Sequence, residues 1–399
     1  MKKILILALA GLAALSCKAV DRHDENITVI VSLDAFRWDY PQIFDTPWLD
    51  SIARVGVSAT MIPSYPSSTF PNHYTIATGL VPDRNGIVNS SFWDSERDIL
   101  YSMGDADVRS HSYYYNGEPI WVTAQKQGVK TGNVYWVGSD IDICGTYPTY
   151  YHRWYDTPRL TYAERVDEAV RLASMPERDR PRLIMVYFDD PDMTSHEFGP
   201  ASMEAGAMVH YLDSLMGCLY RGLKALPYGE EINMIVTADH GMTDISDGRC
   251  ILIRDVLNED WCEHVIGTNP TSIFTRPGYR DSVYQALSVL EHVSVWKKED
   301  IPDTLAYGTS DRIGDIIVAP DLGWQFTFRP RGINGAHGYD PREPDMQVVF
   351  RACGPDFKKG YAAPRKFVNV DIYPLLAHLL GIVPQQTDGQ FERVEGLLR

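Results

Sequence analysis

Acids and imidazoles recur in this chain just where short apolar runs end. ITVIVSL is followed by Asp34, and LIMVYF by DDPDMTSH, which sets Asp192 and His196 four residues apart. INMIVTA is followed by Asp239-His240-Gly241. A later stretch, GINGAHGYD, sets His337 among glycines, where the backbone can turn sharply. Three carboxylates and three imidazoles form a donor set suited to two divalent ions of the zinc type. Each residue alone has an ordinary explanation: an Asp at a strand end caps a helix, and a His satisfies a core or surface contact. Together, beyond matching apolar runs, they point to metal-assisted chemistry. A hydroxyl candidate lies in YPSSTFPNHYTIATG, where Thr69 precedes Phe70-Pro71. A helix starting near Pro71 accepts proline in its first turn. A hydroxyl at its N-terminus would face anions and phosphoryl groups. Thr69 therefore reads either as a nucleophile or as a plain N-cap.

The elements that must carry these residues are short and buried. Ile27–Leu33, Leu183–Phe188 and Ile232–Thr237 are near-continuous apolar runs of strand length, as parallel strands covered on both faces require. Between them, residues 161–174, 202–226 and 370–380 carry helical apolar spacing, with Pro374 tolerable near a first turn. Strands alternating with helices predict an α/β fold: a doubly wound, mostly parallel sheet with helices on both faces. In such sheets ligands bind beyond the carboxyl ends of the strands, which is where the acids fall. Residues 250–330 mix short strands, Gly, Pro and aromatics and predict a small inserted subdomain or lid on a single catalytic domain spanning 17–399. No internal repeat, charge run or long polar linker interrupts the chain.

The chain has 399 residues, 44% hydrophobic and 23% charged, a globular composition. With 37 Lys+Arg against 53 Asp+Glu its formal net charge is −16. That argues against gripping long nucleic acids, which are held by clustered Lys and Arg. It leaves phosphate substrates open, because a metal can supply the positive charge. The start, MKKILILALAGLAALSC, has two lysines, a short apolar run and small residues, the pattern of an export signal over residues 1–16. Ala14-Leu15-Ser16-Cys17 resembles a bacterial lipobox, with Cys17 lipidated. The expected location is then a periplasmic or outer-membrane lipoprotein, or a soluble exported protein if Cys17 is not modified. Removing residues 1–16, with two lysines and no acids, takes the charge from −16 to −18. Two zinc ions would return it to −14, and the three acids' −3 would face +4 locally. The remaining cysteines, Cys144, Cys218, Cys250, Cys262 and Cys353, lack metal spacing. They read as buried thiols, with a Cys250–Cys262 pair the alternative in an oxidising compartment.

SLDAFRWDY, TFPNHYTIATG, YFDDPDMTSHEFGP, TADHGM and AHGYD strongly resemble the nucleotide pyrophosphatase/phosphodiesterase (type I phosphodiesterase) family of the alkaline phosphatase superfamily. GEPIWVTAQKQGVKTG, GTYPTYY and SDRIGD are also similar to family sequence, and the order agrees over roughly residues 27–385. The resemblance implies two Zn²⁺, one held by Asp34, Thr69, Asp239 and His240 and the other by Asp192, His196 and His337. It implies Thr69 as the nucleophile of a covalent threonyl intermediate. The substrate implied is a small nucleotide phosphodiester or pyrophosphate, releasing a nucleoside 5′-monophosphate. Phe70 resembles half of a base-stacking pair, with Trp136 and Asp140 nearby; the other half is Trp154 or Tyr155. The family's phosphate-donating Asn corresponds to Ser90, with Asn89 one residue before it. Ser195 stands where the family has Gly, and a nucleotide-binding Lys segment of some relatives has no clear equivalent.

Other chemistries share parts of this pattern. A phosphomonoesterase or phosphonate hydrolase would use the same metals but needs a cation beside a dianionic group, and TFPN offers none. A sulfatase needs a modified Cys or Ser within C/S-x-P-x-R, which Thr69-Phe70-Pro71-Asn72 does not match. A phospholipid or choline-type phosphodiesterase would differ by preferring lipid headgroups. A metal-stabilised binding protein would not require Thr69.

Overall fold

Every residue of Ile27–Leu33, Leu183–Phe188 and Ile232–Thr237 is buried. A strand with no solvent face must have neighbours on both edges and helices above and below. The computed structural model, which describes residues 26–330 and 332–399, supplies both. Ile27–Leu33 lies between the other two strands and parallel to each. These are the middle of a nine-stranded sheet. Across the path of that sheet the order is Tyr361–Ala362, Val57–Ile62, Val348–Cys353, Ile232–Thr237, Ile27–Leu33, Leu183–Phe188, Thr131–Val134 and Tyr150–His152. Phe367–Val368 also pairs with Val57–Ile62. Among the described strands of this sheet only Val348–Cys353 runs antiparallel to its neighbours. The doubly wound, mostly parallel architecture expected from the sequence is therefore the observed one.

The predicted helices form with small shifts at their ends. Tyr162–Ala173 opens with a capping box in which Thr161 and Glu164 satisfy each other's backbone N–H. Met203–Lys224 packs beside it and beside Pro47–Val55. From inside the long helix, Asp213 accepts the N–H groups of Trp48 at 3.1 Å and Leu49 at 2.8 Å, so one side chain caps a neighbouring helix. The second group, Thr69–Thr78, Ile120–Lys126 and Ile372–Leu380, packs together, and Ile372–Leu380 lies against the central strand.

Residues 250–330 fold mostly around a separate core. Cys262–Ile266, Thr271–Thr275, Ile316–Pro320 and Val293–Lys297 make a four-stranded antiparallel sheet in that order. Helix Arg280–Leu287 covers it, with Val283, Leu287, Ile273, Ile316 and Val318 buried between them. His264 of this sheet stacks on Trp93 of the main body at 3.7 Å. Arg312 fastens the return of the chain by donating to the carbonyls of Gly86 and Tyr114. The cysteines Cys144, Cys218, Cys250, Cys262 and Cys353 are free thiols, so the alternative Cys250–Cys262 pair does not form; only Cys262 and Cys353 are buried as expected, while Cys144 and Cys218 are exposed. The expected leader and Cys17 lie outside the described residues. Among the described residues no helix is long and apolar enough to cross a membrane.

Replacing Asp213 by Ala strands two backbone N–H groups between helices. Urea unfolding should show a loss of about 1–3 kcal/mol; an unchanged midpoint would mean that water or relaxation replaces the cap.

Candidate active site

Strand register brings the acids together. Ser32 pairs with Thr237 and Leu33 with Phe188, so the residues just beyond these pairs emerge side by side at one edge. Asp34 and Asp239 follow two residues after the paired Ser32 and Thr237. The chain turns at Ala35, which adopts a left-handed φ of 58° and donates its N–H to Asp239 Oδ1 at 3.2 Å. That conformation costs a non-glycine residue about 1 kcal/mol. Tyr187, from the neighbouring strand, donates its hydroxyl to Asp34 Oδ2 at 2.5 Å. Asp192 follows on the short helix Asp192–Phe198, whose approach is fixed by Asp190 accepting from Thr194 N and Oγ1 and from Tyr162 Oη.

Each of the three predicted imidazoles is pinned by one ring nitrogen. His196 Nδ1 donates to Gly335 O at 2.7 Å, His240 Nδ1 to Gly241 O at 2.8 Å, and His337 Nδ1 to Ser67 O at 3.0 Å. A ligating histidine needs this arrangement, because the backbone acceptor fixes the tautomer and leaves Nε2 for the ion. The Nε2 atoms face the acids: His240 lies 3.3 Å from Asp34 and 3.2 Å from Asp239, His196 3.4 Å and His337 3.7 Å from Asp192. Glycine is required where His196 meets the later loop. A Cβ on Gly335 would sit 2.3 Å from Ser195 O.

The donor set fits divalent metal. Asp34 Oδ1, Asp239 Oδ2 and Asp192 Oδ1 are buried with no hydrogen-bond donor among the described residues, an arrangement that is costly unless a cation satisfies them. Burial, then Asp239 and Asp192, push the Asp34 carboxyl well above the usual range, and burial likewise raises Asp192. Burial works in the same direction on Asp239, but His240 and His73 outweigh it and hold it down, to about 2. Two groups have ligand atoms close enough to share an ion: Asp34, Asp239 and His240, and Asp192, His240 and His337. The first matches the expected set. The second has His240 where the resemblance placed His196, whose Nε2 stays beside Asp192.

Thr69 is the first residue of helix Thr69–Thr78, and Ser68 holds the cap position. The Thr69 hydroxyl lies 3.1 Å from His240 Nε2. It opens into a cavity of about 520 Å³ that Asp34 and Asp192 also line. The walls are Phe70, Trp136, Asp140, Trp154 and Tyr155, all expected there, together with Arg109 and Arg159, which were not. Arg109 is buried, pairs with Asp140 at 2.8 Å and lies near two rings, 4.6 Å from the centre of Tyr155 and 5.8 Å from that of Phe70. Trp154 turns instead toward Tyr135 and Tyr187, with Arg159 over its face at 4.3 Å. Tyr155 and Phe70 thus share the Arg109 guanidinium, while Trp154 carries Arg159. Neither Asn89 nor Ser90 is among the lining residues; Asn89 Oδ1 accepts from Ser90 N at 2.8 Å.

An enzyme class with this edge of acids and imidazoles on a doubly wound sheet is also what comparison with known proteins returns. The model of the type I phosphodiesterase/nucleotide pyrophosphatase family matches residues 28–340, and the chain belongs to that family of phosphodiester hydrolases. It is 32% identical to human ectonucleotide pyrophosphatase/phosphodiesterase family member 5, over 100% of this chain and 83% of that protein. It is 32% identical to bovine bis(5′-adenosyl)-triphosphatase ENPP4, over 100% and 87% of the two chains. An inactive threonine-to-alanine form of murine ectonucleotide pyrophosphatase/phosphodiesterase 5, in complex with AMP, superposes with a TM-score of 0.89. That match is at 31% identity and covers 94% of this chain and 100% of the other.

If these acids await cations, Zn²⁺ added to chelator-treated protein should raise its melting temperature. The gain should be about 2.7 kcal/mol for a single site at a hundredfold excess over the dissociation constant. A scan that does not move with zinc would contradict the metal assignment.

Proposed function

We propose that the chain is an exported, two-zinc hydrolase that cleaves phosphodiester or pyrophosphate bonds of nucleotides through Thr69 and releases a nucleoside 5′-monophosphate. The carrying observation is the Thr69 hydroxyl at the head of a helix, 3.1 Å from His240 and opening into an aromatic-walled cavity. The inactivation of the murine relative by loss of a threonine, and the AMP it holds, support the same reading.

Asp34, Thr69, Asp239 and His240 would hold one ion and Asp192, His196 and His337 the other. Bound there, the ions would supply Lewis-acid stabilisation of charge on the phosphoryl oxygens and of the threonine alkoxide. This chain's own residues do the rest. Phe70 and Tyr155 sandwich the base, while Arg109 and Asp140 offer hydrogen bonds to its edge. The start of helix Thr69–Thr78 favours the phosphoryl group by its orphan N–H groups and dipole. Thr69 Oγ1 bonds to phosphorus as the leaving oxygen departs from the opposite side. Water then cleaves the threonyl ester, releasing the monophosphate and restoring the hydroxyl. Asn89 or Ser90 would reach a phosphate oxygen only after a local rearrangement. Residues 1–16 would act as the export leader, with Cys17 the lipid anchor and the active site in the periplasm.

Thr69→Ala should fold, keep its zinc and lose turnover of thymidine 5′-monophosphate p-nitrophenyl ester by about three orders of magnitude or more. Wild-type turnover in that variant would refute the nucleophile. The wild type should prefer this ester to p-nitrophenyl phosphate; the reverse preference would favour a monoesterase. Tyr155→Ala should raise KM for the nucleotide ester about tenfold, the scale of one base–aromatic stack, whereas an unchanged KM would remove Tyr155 from the base site.

A further inference from the structure

We infer that His73 is a positioning residue that locks the nucleophile-bearing helix to the metal-binding acids, an inference that rests on the site proposed above. His73 lies one helical turn after Thr69 and is fully buried. Its Nδ1 sits 3.0 Å from Thr69 O and 3.3 Å from Asp239 Oδ2. Both neighbours are acceptors, so Nδ1 carries a proton; it donates to Thr69 O, with the Asp239 carboxylate within ion-pair reach. On the other side, Nε2 meets Ser32 Oγ at 2.9 Å, two residues before Asp34.

The imidazole thus bridges three separate segments: the start of the nucleophile helix, the strand that delivers Asp34, and the loop that delivers Asp239. Its ring also packs edge-on against Tyr187 at 4.7 Å, the residue that holds Asp34 Oδ2. It meets Trp136 in the same way at 5.2 Å, and Trp136 Nε1 donates to the His73 carbonyl at 3.1 Å. Trp136 lines the cavity. One buried ring therefore fixes where Thr69 stands relative to Asp239 and Asp34, and joins that arrangement to the cavity wall. His73 is not one of the expected metal ligands and does not line the cavity, so it acts through its neighbours. A displacement on the order of 1 Å in such a constellation is enough to lower turnover strongly.

Three substitutions separate positioning from packing. His73→Phe keeps the ring and removes the proton. His73→Asn places an amide N–H near the Nδ1 position. His73→Gln places one near Nε2. Zinc titration of the metal-free protein should show the dissociation constant raised about ten- to a hundredfold in H73F, the scale of lost support around a ligand. Steady-state assays should show kcat falling similarly, with KM within about threefold. H73N should recover most of both, and H73Q should not. If H73F keeps wild-type zinc affinity, or H73N is as impaired as H73F, the inference fails. Ser32→Ala, which leaves Nδ1 in place, covers the case in which H73F does not fold. By cutting the link to the strand that delivers Asp34, it should raise the zinc dissociation constant severalfold to about tenfold, and wild-type affinity would overturn the bridging role. Because zinc titration does not depend on which group attacks phosphorus, a fully active Thr69→Ala would refute the nucleophile without touching this result.

Discussion

Like charges do not stay buried together without compensation, and this fold gathers Asp34, Asp192 and Asp239 at one sheet edge. In a low-dielectric setting their mutual repulsion would be severe. Much of the surrounding detail follows from that constraint. Tyr187 and Ala35 each satisfy one carboxylate oxygen and leave the other free. The histidines turn their Nδ1 atoms to backbone carbonyls, and their Nε2 atoms complete the donor set. Cations bound at this edge would remove the repulsion that burial creates, and would then be structural and chemical at once.

Holding such a set requires elements that cannot drift. The three acids come from three adjacent strands or the turns just after them, all joined by continuous parallel pairing. The later loop with His337 is held from outside: Gly335 and Ala336 pair with Asp244 and Thr243. Asn269, from the 250–330 region, donates to His337 O at 3.1 Å. Arg37 adds a cross-tie from the turn after Asp34 by donating to Met242 O at 2.9 Å, beyond Asp239-His240. The 250–330 region therefore touches the acidic edge through Asn269 while keeping a core of its own.

The three central strands were readable residue by residue, because burial on both faces forces an unbroken apolar run and parallel packing forces a short one. The donor set was readable for the same reason, since each member sits at a fixed offset from a strand end. Less could be seen where contact depends on distant chain. Arg109 ends a four-residue helix with no pattern of its own, and only folding sets it near Phe70 and Tyr155. Trp154 and Tyr155 are neighbours in sequence but meet different arginines. The antiparallel course of Val348–Cys353 leaves no mark on composition. His73 did carry a signal: a histidine four residues after the candidate nucleophile shares its helix face. Asn89 and Ser90, the positions suggested for a phosphate donor, lie outside the cavity lining.

Chemistry and recognition occupy different depths of this sheet. The acids follow strands of six or seven residues, whereas Trp136 follows the four-residue strand Thr131–Val134, and Trp154 and Tyr155 follow the three-residue edge strand Tyr150–His152. Substitutions in that outer wall disturb few pairings, while those beneath the acids disturb many. Descent with modification can thus recast the recognised group without rebuilding the hydrolytic edge, and divergence among such chains should gather at Arg109, Trp154, Tyr155 and Arg159.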